Sequence, residues 1–385
     1  MNILGNYQDQ IKQKLSPAQV ETLKILLYLI SVHKIVQISK LSAYFPLPIQ
    51  SESRRKHIQR FLTLKQLSLP IFWFPLVKIM INTLLLSTSE LVLVLDRTQW
   101  QNINILMISV VWKKRALPIY WKILSHKGAS NLTEQQAVIR PMLRLLKKYQ
   151  LILVGDREFH SIHLSYWLKN YRQKHLYFAF RQRKTTQIKR GSKYYQLQQL
   201  KVNVGSKELL LNQKITKIKQ VSLRNLLIYK KRQIKQKNIL ETWYIISNLS
   251  SSDKIHKVYS QRMGIEAMFK DCQSGGYNLE ETKANETRLN NLILLIAISY
   301  TISSFKGQKI KNQGIQKYIS ITNEKGRIER RHSSFLLGLY GFSWTFYYDF
   351  IQEWIENLIR LNAHKLPYYQ RGIKAMSKIN MLYNC

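Results

Sequence analysis

Two short runs, Leu91–Leu95 (LVLVL) and Leu151–Gly155 (LILVG), carry no polar side chain at any position. A strand of this kind buries both faces, so each run predicts a central strand in a sheet covered by helices. The neighbouring segments fit that frame. Ile103–Trp112 and Ala116–Leu124 are rich in branched and aromatic residues at strand length, and Leu176–Phe180 is another such run. Glu134–Tyr149 and Ser161–Tyr171 have helical spacing. Three strands in a meander, followed by strands alternating with helices, predict an α/β layer architecture around a mixed sheet.

The flanks read differently. Pro17, Val20, Leu23, Leu26, Leu27 and Ile30 recur at three- and four-residue intervals, which predicts an amphipathic helix over residues 17–35. Ser51–Leu62 (SESRRKHIQRFL) predicts a second helix, capped by Ser51 or Ser53, with Arg54, Arg55, Lys56 and Arg60 on its exposed side. Residues 1–85 are therefore expected to be a helical domain. Residues 181–240 hold 17 Lys+Arg against one acid, Glu208, and read as a basic β-rich insertion. Trp243–Ser247 predicts a strand and Lys254–Cys272 one helix. From Asn285 the chain reads as mostly helical, interrupted by a basic loop around Lys306–Arg331. The expected division is 1–85, a core at 86–305 with its insertion, and a C-terminal helical region at 306–385.

Composition narrows the function classes. With 385 residues and 45% hydrophobic content, the chain is neither a small binding module nor generally disordered. Its 61 Lys+Arg against 21 Asp+Glu give a formal net charge of +40. A surface this basic calls for a polyanionic partner, and nucleic acid is favoured over an anionic membrane. Cys272 and Cys385 are the only cysteines, too few for a disulfide framework or a cysteine zinc site, which fits a reducing cytosol. Met1–Lys14 has no signal-peptide core, and the apolar run Leu289–Ile302 falls short of a membrane span. The expectation is a soluble, unsecreted protein.

Asp96 directly follows LVLVL and Asp156 directly follows LILVG, so both acids are expected at the carboxyl ends of buried strands, where α/β sheets build sites. A buried carboxylate needs a partner or a cation. Arg97 and Arg157 leave a simpler account open for each acid alone, a strand-end ion pair or a turn cap. Tyr259, Arg262, Glu266 and Gln273 fall on one stripe of the expected helix, at offsets of 3, 7 and 14 residues. Val258, Ile265, Met268, Phe269 and Cys272 form its apolar face. The stripe either faces a cleft or is a solvated face on which Arg262 and Glu266 pair.

LVLDRT, GDREF and YSQRMGIEAMFKDCQSGGYNLE together resemble the DDE transposases of bacterial insertion sequences, in the group marked by a tyrosine-arginine-glutamate-lysine signature, the insertion sequence four type. RRKHIQRFL and RRHSSFLLGLYG extend the resemblance more weakly, and together these segments span most of the chain. The resemblance implies a ribonuclease H-like mixed-sheet catalytic core with a β-rich insertion, flanked by an N-terminal helical domain and a C-terminal helical region. It implies that Asp96, Asp156 and Glu266 are catalytic and hold two Mg2+, with Mn2+ able to substitute, Asp96 bridging the two ions. The 60 residues between the aspartates and the 110 between Asp156 and Glu266 fit this pattern. Tyr259 and Arg262 would grip DNA phosphates, joined by Arg157, Lys270 and Gln273. The signature's lysine falls on Gln273, which is uncharged, while Lys270 lies one turn earlier. A natural variant and an inactivated element both remain open.

The implied activity is cleavage and strand transfer of double-stranded DNA at terminal inverted repeats and target sites, by a homodimer on DNA, with no membrane and a cytoplasmic, nucleoid-associated location. The N-terminal helices would read the repeats. A DNA-binding remnant and a nuclease without strand transfer are the alternatives. Other residues have plainer expectations. His126, His160 and His163 are expected in surface or core roles, and Glu158 either supports the site or pairs with a lysine. Glu280 and Glu281 are expected to end a loop. Trp100 and Trp243 are expected as core aromatics rather than base-stacking platforms. Cys272 is expected to be inert, and the Lys/Tyr-rich tail either frays or binds DNA.

Overall fold

The computed structural model describes residues 7–84, 89–100, 103–173, 175–217, 223–231, 241–273, 276–279, 282–320 and 332–384. The chain opens with helices α1 (Gln8–Lys12), α2 (Pro17–His33), α3 (Ile38–Tyr44), α4 (Ser51–Phe61) and α5 (Phe74–Leu84). Strands β1 (Glu90–Trp100), β2 (Ile103–Trp112) and β3 (Arg115–Leu124) form the meander. Then come α6 (Leu132–Leu145), β4 (Gln150–Gly155), α7 (Ile162–Lys169) and β5 (Leu176–Arg181). Strands β6 (Gln187–Arg190), β7 (Lys193–Gln196), β8 (Lys207–Lys214), β9 (Leu223–Lys230) and β10 (Thr242–Ser247) follow. The remaining helices are α8 (Ser252–Ser260), α9 (Met263–Cys272), α10 (Glu286–Asn312), α11 (Ser334–Phe350), α12 (Gln352–Leu361) and α13 (Leu366–Asn384). The chain divides into two compact units, one of residues 80–269 and the other of residues 1–79 with 270–385.

In the first unit eight strands form one mixed sheet in the order β3-β2-β1-β4-β5-β10-β9-β8. β1, β4 and β5 run parallel at its centre, and the other neighbours pair antiparallel. The two apolar runs thus lie side by side, with Leu91–Leu95 in register with Leu151–Gly155. Pleat alternation sends Ile152, Val154 and Ala179 to one face, where Ile255, Val258 and Tyr259 of α8 bury against them. Each of the isoleucine and valine side chains taken from water here contributes about 1.5–3 kcal/mol. α6 packs on β2 and β3, and α7 on β5. The described part of the basic segment at 181–240 is β-rich as expected, with β8 and β9 extending the sheet and β6 and β7 forming a hairpin beside it. Residues 218–222 and 232–240 of that segment lie outside the described residues.

β1 is longer than its apolar run. Its parallel ladder with β4 stops at Leu95 and Gly155, but antiparallel pairing with β2 carries it on to Trp100. Asp96 therefore sits inside a strand, at the first position beyond the parallel ladder, rather than after the strand's end. The expected single helix over Lys254–Cys272 is two helices. At the break, Gln261, Arg262, Gly264 and Ile265 donate to carbonyls three residues back, replacing the four-residue ladder with a tight turn. Gly264 fits this turn because an added Cβ would press to 3.0 Å on the backbone of Arg115. Gln273 lies in a turn beyond α9. The continuous stripe expected from helical spacing does not form.

In the second unit, helices from both ends of the chain pack together. Asn291 of α10 donates to the Leu62 carbonyl (2.8 Å), and Ser299 of α10 bonds Ser31 of α2 (3.0 Å). Tyr28 of α2 meets Phe342 of α11 edge-on. α10 runs through Lys306 to Asn312, past the expected start of the basic loop, and the buried Lys306 ammonium donates to the Leu382 carbonyl. Residues 321–331 of that loop lie outside the described residues. At 27 residues α10 is long and apolar enough to cross a membrane, unlike the shorter run read from the sequence, yet 83% of its most apolar window is buried. α4 begins after Gln50, which makes no side-chain cap, so neither Ser51 nor Ser53 caps it.

α10 and α11 cross at glycines. An added Cβ at Gly338 would overlap the Ser303 carbonyl oxygen, and one at Gly307 the Ser334 carbonyl oxygen. Neither neighbour can yield, being helix backbone. Gly338→Ala is expected to cost about 3 kcal/mol or more of unfolding free energy, measured by urea denaturation.

Candidate active site

Within the sheet-bearing unit, Asp156 and Glu266 both lie near enough to Asp96 to act on its charge. β1 and β4 deliver the two aspartates from adjacent parallel strands, and α9 delivers the glutamate from its first turn. Asp96 is 14% exposed at its side chain. Its Oδ1 accepts the Arg97 N–H (2.8 Å) and its Oδ2 accepts from Arg262 Nη1 (3.3 Å). Asp156 caps the turn Arg157–Phe159, accepting the Glu158 N–H at 2.8 Å. Glu266 is 45% exposed and accepts from Arg262 Nη2 at 2.5 Å.

The electrostatics follow from this crowding. Burial first, and then the charge of Asp156, push the Asp96 carboxyl up to about 7; Glu266 adds to the rise, while Arg262 and the Arg97 N–H oppose it. Burial also works against the Arg262 charge, but Tyr259, Asp96 and Glu266 more than offset it and raise its pKa. Arg262 thus bridges Asp96 and Glu266. Among the described residues neither aspartate forms an ion pair with its sequence neighbour. Asp96 pairs with Arg262, and Asp156 acts as a turn cap.

The expected phosphate ligands have different surroundings. Tyr259 is 2% exposed and packs edge-on against Trp243 at 5.0 Å, in the core beneath the site. Burial raises the pKa of its hydroxyl, with Arg262 and Arg181 acting against that rise. Arg157 is exposed and lies 3.7 Å from Glu241, which also holds Arg181 at 2.5 Å. Lys270, on the last turn of α9, and Gln273, in the turn that follows, belong to the other compact unit. Trp243 is half-buried at the edge of the core and packs against Tyr229 and Tyr259. His126 pairs with Glu134 (2.9 Å), and His160 bonds the Arg157 carbonyl. Cys272 is half-buried, and desolvation of its sulfur raises the thiol pKa and keeps it protonated. Glu280 and Glu281 lie outside the described residues.

Sequence reasoning missed one feature. Glu158 pairs not with a lysine but with Arg97, Nε to Oε2 at 2.9 Å, and also accepts from Ser130. The signal was available: each residue stands one or two positions beyond an aspartate, with opposite charges.

The donor set suits a hard divalent cation, since it consists of carboxylate oxygens whose mutual repulsion a cation would relieve. Among the described residues no three His, Cys, Asp or Glu side chains are grouped closely enough to hold one ion. Arg262, between Asp96 and Glu266, supplies positive charge there instead. Binding an ion with all three acids therefore requires Glu266 to leave the guanidinium. Asp96 and Asp156 would form the inner pair of ligands.

The raised Asp96 pKa carries a sign. Between about pH 4 and 7 the folded protein keeps a proton that the unfolded chain has lost, so stability falls as pH rises through that window. Without divalent cations, Asp96→Asn is expected to be more stable than the wild type at pH 8, by on the order of 2–4 kcal/mol, and so to melt at a higher temperature, with the gap narrowing at pH 5. Melting curves of both proteins at the two pH values check this.

Residues 105–302, over half of the chain, match the family model described as the transposase DDE domain. That stretch includes Asp156 and Glu266 and begins just after Asp96. No curated protein matches the chain. Among solved structures, the chain is similar to the piggyBac transposase in its synaptic complex with hairpin DNA. The identity is 14%, the TM-score is 0.44, and the match covers 98% of this chain and 81% of that one. On the extent of the family match, this chain belongs to the transposase DDE domain family.

Proposed function

We propose that the protein is a DNA transposase of the insertion sequence four type, cutting at the terminal inverted repeats of its own element and joining the freed ends to target DNA. The observation that carries this reading is the convergence of Asp96, Asp156 and Glu266 from two adjacent parallel strands and a following helix, in a chain of this family. A ribonuclease H-like core is supported by the strand order β3-β2-β1-β4-β5, with the first three antiparallel and the last three parallel. The net charge of +40 suits double-stranded DNA as partner. Two ends must meet in transposition, so a homodimer on DNA, cytoplasmic and nucleoid-associated, belongs to the same proposal, with the N-terminal helices reading the repeats.

Two Mg2+ ions, or Mn2+ in their place, would supply charge neutralisation on the phosphate and activation of the attacking oxygen. Asp96, Asp156 and Glu266 would hold them. The backbone N–H groups of Arg97 and Glu158 orient the two aspartates for that task. Arg262 already faces the acids with two donors, and a DNA phosphate offers it an alternative partner of the same charge, which would free Glu266. Arg157, exposed and only 3.7 Å from Glu241, would take a neighbouring phosphate. Tyr259 supports this group from beneath. Lys270 stands in for the signature's lysine, whose position Gln273 occupies.

Gln273 is also the observation that favours the second reading, a remnant that binds DNA without cutting it. Labelled DNA carrying the sequence that flanks this gene separates the two. Magnesium-dependent nicking by the wild type, abolished in Asp156→Ala and increased in Gln273→Lys, is the expected result. Tight binding with no nicking by either the wild type or Gln273→Lys would establish the remnant. Nicking without joined products would establish the nuclease.

A further inference from the structure

The parallel ladder of β1 and β4 ends at Leu95 and Gly155, and the residue that follows each in the chain is an aspartate. Two like charges at the end of a ladder push the segments apart, so something beyond them must hold the segments together. The first link beyond is the ion pair of Arg97 and Glu158, 2.9 Å apart. Resting on the reading of the site as a cation-dependent active centre, we propose that this pair is a positioning clamp that fixes the separation of Asp96 and Asp156 for a shared divalent ion.

Several observations converge on this role. Each member of the pair also supplies the backbone N–H that orients its neighbouring aspartate, Arg97 to Asp96 Oδ1 and Glu158 to Asp156 Oδ1, both at 2.8 Å. A shift of either side chain therefore moves the donor that holds a carboxylate. The pair is shielded, with the side chains 19% and 12% exposed, so solvent and salt weaken it less than a surface pair. Both ends are anchored. Glu158 Oε1 accepts from the Ser130 N–H (2.8 Å) and hydroxyl (2.6 Å). Arg97 Nη1 donates to Asn104 Oδ1 (3.1 Å), and the 1%-exposed Asn104 in turn donates to the His126 and Gly128 carbonyls. The clamp thus ties β1, β2, the β3–α6 loop and the turn after β4 into one hydrogen-bonded set. Arg97 and Glu158 are positioning residues and carry no part of the chemistry.

The test measures Mn2+ binding to the full chain by paramagnetic resonance of the free ion, alongside the melting temperature. Glu158→Gln keeps an acceptor for Ser130 and removes the charge; Arg97→Lys keeps the charge and removes the fork. Each is expected to weaken Mn2+ binding about tenfold with a single cooperative melt within a few degrees of the wild type. The double variant is expected to be no weaker than the worse single, since both report one interaction. Wild-type Mn2+ affinity in folded Glu158→Gln and Arg97→Lys would overturn the clamp alone, as would a loss that only tracks the fraction of unfolded protein. A wild type that neither binds Mn2+ nor cuts DNA would overturn the functional reading with it.

Discussion

Two carboxylates forced together at the end of a parallel strand pair are the constraint around which the sheet-bearing unit is built. β1 and β4 are adjacent because both are apolar on both faces and bury together at the sheet's centre. That burial brings Asp96 and Asp156 side by side at the point where pairing stops. The cost is visible in the Asp96 carboxyl, held near pKa 7 by burial and by its neighbour. Four surrounding features answer it: two backbone N–H groups, the Arg262 guanidinium and the Arg97–Glu158 pair. Placing charge against charge in a poorly solvated pocket is costly for stability and suits a site that binds cations and phosphates.

The helix break at Gln261–Arg262 belongs to the same arrangement. A continuous helix would place Tyr259 and Arg262 on one exposed stripe. The tight turn separates them: Tyr259 stays in the core under the sheet, and Arg262 turns to the acids. Gly264 permits α9 to start against the β3 backbone, which brings Glu266 into reach of the same guanidinium. One arginine then balances two acids from different elements, an assignment that a phosphate can compete for.

Much of the core was legible in the sequence because its signals are local. Unbroken apolar runs located β1 and β4, branched and aromatic runs located β2, β3, β5 and β10, and an acid at the end of each central run marked the site. Other features depend on contacts far apart in the chain. The extension of β1 past Asp96 is sustained by β2, and no property of DRTQW alone shows it. The break between α8 and α9 depends on the approach of Gly264 to Arg115, about 150 residues earlier in the chain. The pairing of Arg97 with Glu158 crosses 61 residues. Helical spacing placed Gln273 on the stripe, but the helix ends at Cys272. The assembly of helices from both chain ends around α10 is likewise set by packing, through contacts such as Ser31 with Ser299 that periodicity does not encode.

In the proposed site, Asp96, Asp156 and Glu266 gather like charges whose repulsion a divalent cation would relieve. The most direct measurement is the melting temperature of the wild type at pH 8 with and without millimolar Mg2+, beside that of Asp96→Asn. A rise on adding Mg2+ that is lost in Asp96→Asn is the predicted result. An equal response in the two proteins, or none in the wild type, would contradict the account.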